Sequence, residues 1–186
     1  MNSKKNTQIK VKFEKIVFDK MTDALKKNTY DIAGFIIGIY LPQDQLFKVI
    51  GACFMSISNH IIFPFLAKLG GIINKGRERH NIDGWKIIGW IHTHLGREAF
   101  LSMADTQTYI DLYKFAQGEF LAIVVEPMNK EIKSYIFNKF DNNVEEIDIS
   151  IENLEYTNEE RKFVKNLGEQ FISSKEIGEV IILPII

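Results

Sequence analysis

The chain has 186 residues and 46% hydrophobic content, which suits one compact domain with a substantial core. Its 23 basic and 24 acidic residues nearly cancel, which argues against a nucleic-acid binder, and apolar runs such as Ile61–Leu66 and Val180–Ile186 are too short to span a bilayer. The opening Met1-Asn2-Ser3-Lys4-Lys5-Asn6 carries charge with no apolar stretch behind it, so no signal peptide is read, and the single cysteine, Cys53, suits a reducing compartment, by default the cytoplasm.

In chain order, Gln8–Phe13 alternates as a first strand. Lys15–Lys27 follows with helical spacing at Ile16, Val17, Met21, Ala24 and Leu25. Ile32–Tyr40 is a near-continuous apolar run, and Pro42-Gln43-Asp44 turns it into an antiparallel partner at Leu46–Met55. Cys53 lies in that partner's apolar run and reads as a buried structural thiol rather than a nucleophile. Ser56–Asp83 is less regular, with an apolar patch at Ile61, Ile62, Phe63, Phe65 and Leu66 and a helix candidate reaching about Arg79. Trp85–His92 reads as a strand, Asp105–Gln117 as a helix, Phe120–Val125 as a buried strand and Glu131–Phe140 as a further strand. The acidic stretch Asp141–Tyr156 reads as a loop or edge segment, and Thr157 with Glu160 forms a capping box for a helix through Ile172. Strands and helices interspersed in this order suggest a mixed α/β sheet flanked by helices.

Chemistry concentrates in one segment. His92 and His94 share a face at a strand end, roughly 6–7 Å apart at Cα, so both imidazoles can reach one metal ion. Asp105 follows eleven positions after His94, past a loop containing Gly96. Two imidazoles and one carboxylate leave a fourth tetrahedral position open, the arrangement of a catalytic zinc, although iron and manganese accept the same ligands. Taken singly the parts have plainer readings. A His-x-His pair on a strand is often incidental, and Ser102-x-x-Asp105 is also a helix N-cap signature.

Together, the spacing HxH-x7-SxxD and its flanks, Gly89-Trp90-Ile91-His92-Thr93-His94 and Phe100-Leu101-Ser102 with Asp105-x-x-Thr108, resemble the JAMM/MPN+ zinc metalloproteases. The flanks are most similar to the endosomal AMSH-type deubiquitinases, and the resemblance runs from about Val11 to Phe140. It implies an α/β MPN (cytidine-deaminase-like) fold with a mixed, mostly antiparallel sheet flanked by helices. It also implies a catalytic domain over residues 1–150, with 151–186 left as a C-terminal helix and apolar tail. His92, His94 and Asp105 would ligate Zn2+, and Ser102 would hold the attacking water and steady the oxyanion. The implied activity is isopeptide hydrolysis on conjugates of ubiquitin or a ubiquitin-like protein, whose tail such enzymes hold against an edge strand. Within this resemblance, Ser56–Asp83 matches the segment that frames the tail groove, and its apolar patch is either a ubiquitin contact or core beneath a helix.

Two positions depart from the pattern. Asp31, in Asp31-Ile32-Ala33-Gly34, stands where the family carries the glutamate that relays the proton from water to the leaving amine. One methylene fewer withdraws the carboxylate by about 1–1.5 Å, and a misplacement of about 1 Å can cost on the order of a hundredfold in rate. Asp31 is then a working base on a shifted backbone, or the mark of a slow or inactive zinc-binding relative, or it cedes the role to another acid such as Glu14. Leu95 replaces the proline that usually follows the second histidine, which softens the loop together with Gly96 and removes no ligand.

Competing readings are a non-catalytic MPN-type zinc-binding scaffold and a cupin-like site using His92, His94 and Glu98, which lacks the framing glycines at Lys86 and Asp105. His60 and His80 read as surface residues, Trp90 as core beside the ligands and Glu98 as solvent-facing. The C-terminal helix and the tail Val180–Ile186 are either a docking element for a partner subunit or a part folded back on the core. Neither nucleic acid nor membrane is expected as a partner.

Overall fold

The computed structural model describes residues 9–55, 62–116, 118–173 and 180–182. In chain order the elements are β1 (Lys10–Glu14), α1 (Lys15–Leu25), β2 (Ala33–Leu41), β3 (Leu46–Met55), α2 (Ile62–His80) and β4 (Lys86–Thr93). They continue with α3 (Met103–Ala116), β5 (Leu121–Glu126), β6 (Glu131–Asn138), β7 (Asn143–Glu152), α4 (Asn158–Ser173) and β8 (Val180–Ile182).

The strands hydrogen-bond in the order β1-β7-β6-β5-β4-β2-β3-β8, and β1 also pairs with β3. That second pairing is parallel, from Lys10↔Leu46 to Phe13↔Val49, and it joins the two ends of the sheet. The result is a closed seven-stranded mixed barrel with β8 added antiparallel to β3 at Ala52–Phe54. The α/β MPN fold implied by the resemblance, a flanked mixed sheet, is therefore corrected. Period-two patterning identifies strands but not which distant edges meet, and β1 finds both neighbours, β7 and β3, far along the chain. Local backbone also favours closure. β2 shifts register against β3 and against β4 between Ile36 and Gly38, a bulge of the kind that bends a strand. Gly38 is required there, because a Cβ would stand 2.1 Å from the Lys48 carbonyl oxygen of β3.

A second correction concerns Asp141–Tyr156. Most of it is β7, paired on both sides by β6 and β1 rather than lying as a loop or edge. Its exposed Glu145, Glu146 and Asp148 hide the alternation of Ile147, buried, and Ile149, half-buried.

Side-chain alternation divides the core in two. The inner cluster takes Val11, Phe13, Ile36, Phe47, Ile88, Ile123, Ile136 and Ile147 from the seven barrel strands, with Val17, Phe18, Met21 and Leu25 of α1 packed against them. The outer cluster lies on the opposite face of β2–β6, including Phe35, Trp90, Val124 and Tyr135, and is covered by α2, α3 and α4. Phe163, Val164 and Leu167 of α4 share this cluster with Leu69 and Ile73 of α2, so the C-terminal helix packs on the core. Among the described residues no helix is long and apolar enough to cross a membrane.

Candidate metal centre

Along β4, Trp90 and His92 project to the outer face, and His94 follows just past the strand end. Trp90 is buried and stacks on the His92 ring, with centroids 4.3 Å apart and planes 19° apart. Across the strand, His92 pairs with Ala33 of β2 and Val124 of β5, so small or flat neighbours leave room for its ring. α3 then brings Asp105 in its first turn over the same face.

The three ligand candidates meet. His92 Nε2 lies 3.2 Å from His94 Nε2, and Asp105 Oδ2 lies 3.4 and 3.3 Å from those two nitrogens. A tetrahedral zinc with bonds of about 2.0–2.1 Å has ligand-to-ligand edges of about 3.3–3.4 Å, so the donor set fits zinc without rearrangement. The His94 tautomer argues the same way. His94 Nδ1 is 3.2 Å from the Glu98 carbonyl oxygen, an acceptor only, so the ring proton sits there and Nε2 offers a lone pair. That lone pair faces a carboxylate oxygen, an arrangement that a cation between them relieves. His92 is 5% and His94 3% exposed, and His92 Nδ1 is buried with no hydrogen-bond partner among the described residues.

Ser102 and Asp105 cap each other. The Asp105 amide donates to Ser102 Oγ at 3.2 Å, and the Ser102 amide donates to Asp105 Oδ2 at 3.0 Å. The cap and metal readings thus hold together, since capping aims Oδ2 at the histidines. Burial works to raise the Asp105 carboxyl, but its bonds to His92 and Ser102 outweigh this and hold it well below the usual carboxylate range. It is therefore a ready anionic ligand.

Asp31 is brought to the same loop but not into the ligand triangle. Its Oδ1 accepts the Leu95 amide at 2.7 Å, and its Oδ2 is paired with the Arg97 guanidinium. The two departures from the family pattern therefore meet in one hydrogen bond, because a proline at 95 would have no N–H to give. Gly96 is not there for softness. Its φ of 69° is a left-handed conformation that glycine adopts readily, and its amide donates to Glu126 Oε1 at 3.2 Å. Glu126, 0% exposed, also receives the Met128 and Asn129 amides, while Glu131 receives that of Ala99 at 3.3 Å. Three carboxylates from different parts of the chain thus hold the backbone between His94 and Ser102. Glu126, Glu131 and Arg97 escaped sequence reading, since nothing near the two glutamates marks the loop as their partner and nothing near Arg97 marks Asp31 as its own.

The other candidates fall elsewhere. Glu14 is buried at the end of β1 and takes the Leu154 amide and the Tyr156 hydroxyl, so it is committed away from the ligands. Glu98 is exposed, and His80 is half-buried with its Nε2 enclosed and without a hydrogen-bond partner among the described residues. Cys53 is buried, and burial pushes its thiol up to about 12. Leu66 is half-buried at the edge of the outer core. Ile61 and His60 lie outside the described residues, as do the side chains of Ile62, Phe63 and Phe65, those of residues 180–182 and all of the tail beyond Ile182.

No family model matches the chain, and no curated protein matches it. Among solved structures it is similar to the solution structure of protein DSY2949 from Desulfitobacterium hafniense. The two are 16% identical over 80% of this chain and 97% of that one, with a TM-score of 0.51. At that identity the likeness concerns the fold alone, and it accords with the barrel rather than with the MPN expectation.

Proposed function

We propose that the protein is a zinc-dependent hydrolase that cleaves the isopeptide bond between ubiquitin, or a ubiquitin-like protein, and a lysine. The triangle of His92 Nε2, His94 Nε2 and Asp105 Oδ2, with edges of 3.2–3.4 Å, is the observation that carries the metal. The substrate class rests on the resemblance of the HxH-x7-SxxD segment to the JAMM-type isopeptidases. Zinc bound there supplies a Lewis acid that polarises the carbonyl and acidifies water. Ser102 accepts the Asp105 amide with a lone pair, so its hydroxyl proton remains to steady the developing oxyanion. The proton relay to the leaving amine is assigned to Asp31 from the same resemblance, and each of its oxygens keeps a lone pair for it after bonding Leu95 and Arg97. The cytoplasm is the proposed compartment.

A second reading is favoured by the same Asp31 contacts, since a carboxylate turned to the loop suits a zinc-holding interaction module without turnover. One assay separates the two. Zinc-loaded protein is incubated with isopeptide-linked ubiquitin and ubiquitin-like conjugates, beside His94→Ala and Asp31→Glu. Cleavage that a chelator stops and His94→Ala abolishes supports the hydrolase. No zinc-dependent cleavage by the wild type or by Asp31→Glu overturns it in favour of the module.

A further inference from the structure

The chain around Asp31 runs beside the ligand strand. The Thr93 amide donates to the Ile32 carbonyl at 2.9 Å, and the Ile32 amide donates to Thr93 Oγ1 at 2.9 Å. These bonds fix the chain against the ligand strand at the residue next to Asp31, whose side chain reaches out to the loop. Its carboxylate then takes residues one and three past His94, with the Leu95 amide on Oδ1 and Arg97 on Oδ2. An aspartate side chain has two free torsions, and a separate donor on each oxygen leaves it one orientation.

We propose that Arg97 and the Leu95 amide clamp the Asp31 carboxylate, positioning both that carboxylate and the histidine-bearing loop, so that Arg97 is a positioning residue of this site. The inference rests on the zinc-hydrolase reading above and assigns Arg97 a place in it. Stability does not explain the pair. The Asp31 and Arg97 side chains are 38% and 55% exposed, and an ion pair so open to solvent adds little to folding. What the pair restricts is motion of His94, because Leu95 is its neighbour and the His94 ring is already tied to Glu98 in the same loop. The clamp also accounts for leucine at 95. The amide hydrogen bond restrains the loop where a proline ring would otherwise do so, and that restraint needs a residue with an N–H.

The test is a double-mutant cycle on the full chain, read as zinc affinity by competition with a chromogenic chelator. Arg97→Ala and Asp31→Asn are each expected to weaken zinc binding about tenfold, as loss of groups that orient a metal ligand does. The double variant should be no weaker than the weaker single, and Arg97→Lys should recover most of the loss. Leu95→Pro should make Arg97→Ala less costly, because half of the clamp is already gone. Melting of the metal-free protein should be unchanged by Arg97→Ala. Unaltered zinc affinity in Arg97→Ala, or losses that simply add in the double variant, overturns the clamp. Where conjugates are cleaved, Arg97→Ala should lower kcat and leave KM unchanged, and a rise in KM alone also overturns it. The zinc measurements need no turnover, so absent cleavage removes the hydrolase reading and leaves the clamp to be judged by its own cycle.

Discussion

At Asp105 a single oxygen, Oδ2, receives the Ser102 amide at 3.0 Å and stands 3.3 and 3.4 Å from two imidazole nitrogens. Helix capping and metal holding therefore converge on one atom, and a substitution that spares the cap separates them. Asp105→Asn keeps a side-chain acceptor for the Ser102 amide but loses the charge that zinc requires. It is expected to lose zinc on dialysis while the metal-free protein changes stability by no more than about 1 kcal/mol, the scale of a cap. Retained zinc by metal analysis would show that Asp105 is no ligand.

Glu126 tests the loop from its other side. Burial works to raise its carboxyl, but the amides of Asn129, Gly96 and Met128 outweigh that and hold it below its ordinary value. A carboxylate held low in the folded state stabilises above its unfolded pKa, about 4.3, and loses that contribution as pH falls through the folded value. Glu126→Gln should cost about 1 kcal/mol near neutrality, since one part-buried amide loses its charged acceptor. The gap to wild type should begin to narrow as pH falls past about 4.3 and close only below the lowered folded value, where both side chains are neutral. A gap independent of pH in urea melts would refute the assignment. His92, His94, Ser102 and Asp105 stood out as candidates because they fall within one short segment and Asp31 through the resemblance alone, whereas Glu126 and Glu131 reach that segment across 30 and 32 positions with no local pattern.

Among the elements, α4 was readable from its ends. The Glu160 amide donates to Thr157 Oγ1 at 3.1 Å, and the Thr157 amide donates to Glu160 Oε2 at 2.8 Å, the reciprocal pair that the sequence implies. Its docking site was not readable, because it depends on a glycine inside another helix. A Cβ on Gly76 of α2 would stand 2.9 Å from Phe163 Cε2 of α4, and Phe163 is fully buried and packs near Trp85, with ring centroids 6.2 Å apart. Alanine favours a helix by about 1 kcal/mol over glycine, but overpacking a core costs about 1–3 kcal/mol. Gly76→Ala should therefore be neutral to destabilising by up to about 2 kcal/mol as the difference of those terms. Gly168→Ala in α4, where a Cβ meets nothing within 4 Å among the described residues, should stabilise by about 0.4–1 kcal/mol. Denaturant midpoints of the pair decide it, and equal gains at both positions would mean that α2 and α4 are not packed through Gly76.

At the scale of the whole molecule, the candidate ligands sit on two layers. His92 belongs to a barrel strand and Asp105 to a helix of the outer layer, so an ion held between them would tie α3 to the ring. The strand segments were legible from alternation, but ring closure was not, because the parallel pairing of Lys10–Phe13 with Leu46–Val49 leaves no local pattern. Closure makes β1 the joint of the barrel, with Phe13 fully buried between β7 and β3 and edge-on to Phe18 at 6.1 Å. If the ring unfolds as one unit, a ligand that binds only the folded state stabilises all of it, by about 2.7 kcal/mol at a hundredfold excess over Kd. For a chain of this size that corresponds to a rise in Tm of roughly 5–10 °C. Phe13→Ala, remote from the ligands, should lower Tm with and without zinc by a cost of about 3–5 kcal/mol, yet leave the zinc-induced rise intact. Calorimetry with zinc and with chelator checks this. One transition that moves with zinc in both proteins supports a single cooperative barrel. Two transitions, only one of them zinc-dependent, would show that α3 and its metal ligands melt apart from the ring.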